Sequence, residues 1–203
     1  MFNAVLFALI AVTPPAGMVR IPAGTYVPVY GRPVQVAPFA LDRSPVTRGE
    51  FQSAVGEDAR RPAVAVTWFE AKQYCEVHGK RLPTTAEWER AASATPIPEQ
   101  MSLYAMRHDE TNAGIVGRGE HNRLGVADLH GLVWEWTLDF DGPTHSASHH
   151  EHAEHNGVSC ASAAIGATNT YDYPAFLRNA VRAGLERTSA TTSLGFRCAA
   201  NLS

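Results

Sequence analysis

Three Thr-x-x-Glu boxes fall between Thr47 and Glu87: Thr47-Arg48-Gly49-Glu50, Thr67-Trp68-Phe69-Glu70 and Thr84-Thr85-Ala86-Glu87. In each, the threonine hydroxyl can accept from the amide three residues on. The glutamate can reach back to the cap N–H, so a helix start is fixed to the residue. Apolar side chains follow each box at helical spacing. The helix from Trp68 puts Ala71, Tyr74, Cys75 and His78 at three- and four-residue intervals and meets Gly79, a suitable C′ residue, so Cys75 faces inward. The third helix runs from Pro83 to about Ser93, with Pro96 and Pro98 closing it. Starts this closely spaced leave room only for short helices.

The rest of the chain is punctuated by 16 Gly and 13 Pro, which implies short elements joined by much ordered loop. Met18–Tyr26 reads as a short edge strand with a turn, and Val34–Leu41 as a second strand. Beyond Met101 the helical pattern fades, and Gly114, Gly117, Gly119, Gly125 and Gly131 divide the chain into turns. Leu132-Val133-Trp134-Glu135-Trp136 reads as a buried strand with aromatic anchors, and Asp139–Asn156 as a long polar, histidine-rich surface loop. Asp172 and Pro174 can start a helical turn, and Leu194–Cys198 reads as a closing strand.

A chain of 203 residues with 45% hydrophobic content is bounded to one domain with one core. A formal charge of −3 and the lack of a basic stripe argue against nucleic acid as a partner. Residues 1–17 contain the apolar run Ala4–Val12, closed by Thr13-Pro14-Pro15. That run has the length of an export leader's apolar core and is too short to span a bilayer. No Lys or Arg precedes Arg20, so a first buried strand stays open beside a cleaved leader. The leader reading places the domain, residues 18–203, in the periplasm or outside the cell.

Four stretches, in order, resemble the sulfatase-modifying-factor, or formylglycine-generating-enzyme-like, family. They are Met18–Gly24 with Pro38–Asp42 and Pro45-Val46-Thr47; Val66–Ala71 through Tyr74-Cys75 to Lys80–Glu89; Asn122–Trp136; and Gly195-Phe196-Arg197-Cys198-Ala199. The resemblance implies an α+β, C-type-lectin-like fold, irregular, with short helices and short antiparallel strands. It also implies a family in which some members oxidise a substrate cysteine to formylglycine with O2 and copper, while others serve in protein or pigment maturation. Fold alone does not choose between them.

Carried over residue by residue, the resemblance implies that Cys75 and Cys198 are bridged if the chain is exported. The family's oxidases hold Cu(I) between two thiolates late in the chain, where this sequence has Cys160 alone, preceded by Ser159. Cys160 and Ser159 are therefore candidate catalytic residues, with a small buried core thiol as the plain alternative for Cys160. Trp136 matches an active-site aromatic, and its alternative is core packing. His149, His152 and His155 could add imidazole ligands to Cys160 for copper or zinc, or form a solvated loop. Glu135 matches a calcium ligand, although Leu132 replaces an asparagine that supplies another oxygen. Asp128 is a further oxygen donor whose alternative is turn formation. Arg197 is expected in a buried charge-assisted hydrogen bond. The expectation is an exported oxidase or maturation factor acting on a protein or peptide. A non-catalytic lectin-like binding module lacking the second cysteine stands as its alternative.

Overall fold

The computed structural model describes residues 13–105, 114–119, 121–141 and 171–202. All three capping boxes form, with both reciprocal bonds present at Thr47, Thr67 and Thr84. They open α1 (Arg48–Gln52), α2 (Trp68–Val77) and α3 (Thr85–Ala92). Each cap contributes about 1 kcal/mol to helices too short to persist alone. Helix α2 buries Trp68, Ala71 and Cys75, and Gly79 follows it at φ 67°.

Two helices exceed the sequence reading. Ile97–Ala105 forms α4 directly after α3. Pro98 lies in its first turn, where a missing N–H costs nothing, so the prolines read as closing α3 lead instead into a new helix. Asp172 accepts from the Ala175 amide at 2.9 Å and starts α5, an 11-residue helix over Tyr173–Ala183 rather than a single turn.

The main sheet has the order β1 (Met18–Ile21), β4 (Phe39–Asp42), β7 (Ala199–Asn201), antiparallel throughout. Strand β4 lies between the other two, and all four of its residues are buried. β2 (Gly24–Tyr26) pairs antiparallel with β3 (Val34–Val36). The stretch read as one strand, Val34–Leu41, is thus two strands of different sheets, divided at Pro38, which has no N–H to give a ladder. The closing stretch divides likewise. Leu194–Gly195, as β6, pairs in parallel with β5 (Trp134–Glu135), and Phe196-Arg197-Cys198 then cross to β7. This parallel pair departs from the antiparallel expectation. A Cβ at Gly195 would sit 2.5 Å from the Ala63 carbonyl oxygen, so only glycine lets β6 pass there.

Two apolar clusters fill the interior. One gathers Trp68, Trp136, Phe140 and Phe196 around Cys75 and Cys198. The other packs Ile21, Phe39 and Leu41 against Trp88, Val126 and Leu129. Cys75 and Cys198 are bridged, with Cα atoms 5.6 Å apart across a sequence separation of 123 residues. Among the described residues, no helix is long and apolar enough to cross a membrane. The apolar run Ala4–Val12 lies outside the described residues.

Candidate functional site

The Trp-Glu-Trp ribbon is held by β6, with the Trp134 amide donating to Ser193 and the Trp136 amide to Gly195. Trp136 is fully buried, and its indole N–H donates to the Val66 carbonyl at 2.8 Å. It meets Phe140 edge-on at 4.9 Å between ring centroids. This is the packing role.

Glu135 points into the other half of the core. Arg197 donates to it through Nε and Nη2, both at 2.7 Å, and Trp88 Nε1 donates at 2.8 Å. The remaining Arg197 N–H groups reach the carbonyls of Asp42, Arg43 and Ala127. The buried, charge-assisted bond expected of Arg197 is therefore present. With both Glu135 oxygens engaged by cationic and indole donors, the carboxylate belongs to an ion pair, and the donor set does not fit a hard cation. Asp128 likewise takes the turn role, accepting from the amides of Gly117 and Gly119.

A second buried ionic group, absent from the sequence reading, lies beside this one. Glu89 on α3 accepts from Arg178 through Nε at 2.9 Å and Nη2 at 2.5 Å, and from Arg182 Nη1 at 2.7 Å. Both guanidinium groups also lie over the Trp88 ring, at 5.3 and 5.4 Å. Burial works to raise the Glu89 carboxyl, but the two guanidinium groups outweigh it and hold the carboxyl at about 2. Arg178 Nη1 continues to Gln100 at 3.0 Å and to the Tyr104 hydroxyl at 3.4 Å, and that hydroxyl lies 3.2 Å from His130 Nδ1. Arg178 and Arg182 stand four residues apart on α5, so their shared face was visible in the sequence. Their partner on α3 was not.

Burial pushes the His130 imidazole down to about 3. Arg178 adds to the effect, as does Arg197 more weakly, while Glu89 and the Ala92 carbonyl oppose it. The sign follows directly: below the ordinary histidine range the unfolded chain binds a proton that the folded chain refuses, so stability falls as pH drops. Urea midpoints measured from about pH 7 to pH 5 are expected to decline, and His130→Phe is expected to flatten that decline.

Of the residues singled out from sequence, the structure joins Cys75 to Cys198 and places Trp136 and Glu135 in the core. Ser159, Cys160, His149, His152 and His155 lie outside the described residues. Among the described residues, no cluster of three or more His, Cys, Asp or Glu could hold a metal ion.

Residues 54–202 match a family model described as the sulfatase-modifying factor enzyme 1-like domain. The chain is 31% identical over 187 residues to the inactive C-alpha-formylglycine-generating enzyme 2 of Mus musculus, covering 82% of this chain and 57% of that one. It is 29% identical over 199 residues to the formylglycine-generating enzyme of Mycobacterium tuberculosis, covering 81% and 64%. The chain thus spans between about half and two thirds of these relatives' length. Among solved structures it is similar to CarF, with TM-score 0.54, 16% identity, and 93% and 99% of the two chains covered. It is also similar to PvdO from Pseudomonas aeruginosa, with TM-score 0.54, 22% identity, and 91% and 94% covered. At those identities the structural likeness speaks for the fold alone, an α+β body of the C-type-lectin-like kind.

Proposed function

Because the chain belongs to the family of sulfatase-modifying factor enzyme 1-like domains, we propose that it is an exported, formylglycine-generating-enzyme-like oxidase or maturation factor. It acts on a protein or peptide with O2 and a metal, with Cys160 as its working thiol. The observation that carries this reading is the disulfide. The chain has 3 Cys, and Cys75 and Cys198 are bound to each other, so Cys160 is the one thiol left for chemistry. Export is supported by the same bond, since buried structural disulfides belong to oxidising compartments.

The count also limits the metal. A pair of thiolates for Cu(I) does not fit this chain. The donors that remain are Cys160 with His149, His152 and His155, a mixed sulfur and imidazole set suited to copper. Copper bound there would supply one-electron chemistry towards O2. Ser159 would position the thiol, and Trp136 would support the ribbon from within.

A second reading is a non-catalytic binding module on the same scaffold. It is favoured by the missing second cysteine and by the likeness to a relative named as inactive. Titration with Cu(I), alongside thiol counting, separates the two. The oxidase reading expects stoichiometric copper that is lost in Cys160→Ala. Copper-free protein whose stability is unchanged by that substitution would leave the binding module.

A further inference from the structure

Helix α4 and the turns over residues 114–132 enclose an open-mouthed cavity of about 360 Å³, within the size range of small-ligand sites. Its apolar walls include Leu103, Ile115, Val126, Leu129 and Leu132. His130 also lines it, is only 7% exposed, and has a buried Nε2 without a hydrogen-bond partner among the described residues.

The hydrogen-bond chain joins that ring to Arg178 through Tyr104. A guanidinium can only donate, so Tyr104 Oη accepts from Arg178 Nη1, and it can either give its own proton to His130 Nδ1 or accept a second proton from it. With the hydroxyl proton on the Nδ1 side, the neutral ring carries its own proton on Nε2, and the Ala92 carbonyl near the ring does not meet that buried N–H in hydrogen-bonding geometry. Leaving such a donor unmet is costly, which favours an occupant that brings an oxygen to it.

Among the described residues, the charges lining the cavity have one member without a side-chain partner. Asp128 is engaged by two backbone amides, and Glu99 has a partner of its own. Arg118 lines the mouth, is exposed, and makes no side-chain ion pair or hydrogen bond among the described residues. We infer that this cavity is a binding site for a small organic carboxylate with an apolar body. The carboxylate faces Arg118, the body lies against the leucines, and an acceptor oxygen takes the His130 Nε2 proton. The site uses none of the residues assigned to the oxidase reading, so it stands or falls apart from it.

The full chain is titrated with benzoate and hexanoate, and with benzamide as the uncharged isostere of benzoate, while the His130 ring nitrogens are followed by NMR. The expected result is a protonated Nε2 whose resonance moves on adding either acid, with benzamide binding more weakly. Arg118→Ala should weaken benzoate about two- to fivefold, the scale of an exposed ion pair, and leave benzamide unchanged. His130→Phe should weaken both. Arg118 is a surface residue, so its variant keeps the test decisive if the His130 variant fails to fold. A proton found on Nδ1, no response of His130 to any of the three probes, or equal binding of benzoate and benzamide would overturn the inference.

Discussion

Glu89→Gln is expected to lower the unfolding free energy by about 3 to 5 kcal/mol, the cost of removing one partner from a buried ion pair. The substitution keeps the side chain's shape and removes its charge. Arg178 and Arg182, both under a tenth exposed, then share the space over Trp88 with no counter-charge. Urea unfolding at neutral pH, with the disulfide intact, measures the loss. Acid gives the same loss a signature. Glu89 titrates at about 2 in the folded chain against 4.5 for a free side chain. Its stabilisation is therefore complete above the unfolded value and disappears as pH falls through that window. The glutamine variant should lack this low-pH phase while keeping the separate decline that His130 produces at higher pH. A variant as stable as the parent would mean that the two arginines find other anions.

Removing the bridge between Cys75 and Cys198 is expected to cost about 4 to 5 kcal/mol in the chain-entropy view, because the closed loop is long. The 123-residue separation places that effect on the unfolded chain, which regains its full freedom once the link is cut. Both sulfurs are fully buried, so gentle reductant should act only through prior unfolding. The measurement is the urea midpoint of the Cys75→Ala/Cys198→Ala double variant against the parent. A difference under about 1 kcal/mol would show that packing of Trp68, Phe140 and Phe196 holds this end without the bond.

The parts of the fold that sequence made legible are those decided by neighbours along the chain. A capping box needs only four consecutive residues, and all three formed. Gly79 ends α2 for the same local reason. The bridge was readable through family resemblance, which carries long-range pairing that spacing does not, and Arg197 was readable as a buried charge-assisted donor without its partner Glu135. Helix α4 was obscured because Pro98 can either end a helix or occupy its first turn, and only packing decides which. The breaks in Val34–Leu41 and Leu194–Cys198 depend on which sheet takes each half. The Glu89 group was the least legible. A glutamate on a helix ordinarily faces water, and what draws this one inward is a pair of guanidinium groups 89 and 93 residues away. Glu135 matched a calcium ligand and Trp136 an active-site aromatic, yet their polar atoms are engaged by Arg197, Trp88 and Val66.

The last strand region carries a consequence for how the molecule comes into being. Residues 194–201 supply β6, β7, the Arg197 guanidinium and the Cys198 sulfur, so they complete the main sheet, the Glu135 pair and the bridge together. A polypeptide leaving the ribosome amino end first exposes β1 and β4 long before that segment exists. Its contacts can therefore close only once that segment has emerged, and the sheet, the Glu135 pair and the bridge close with it.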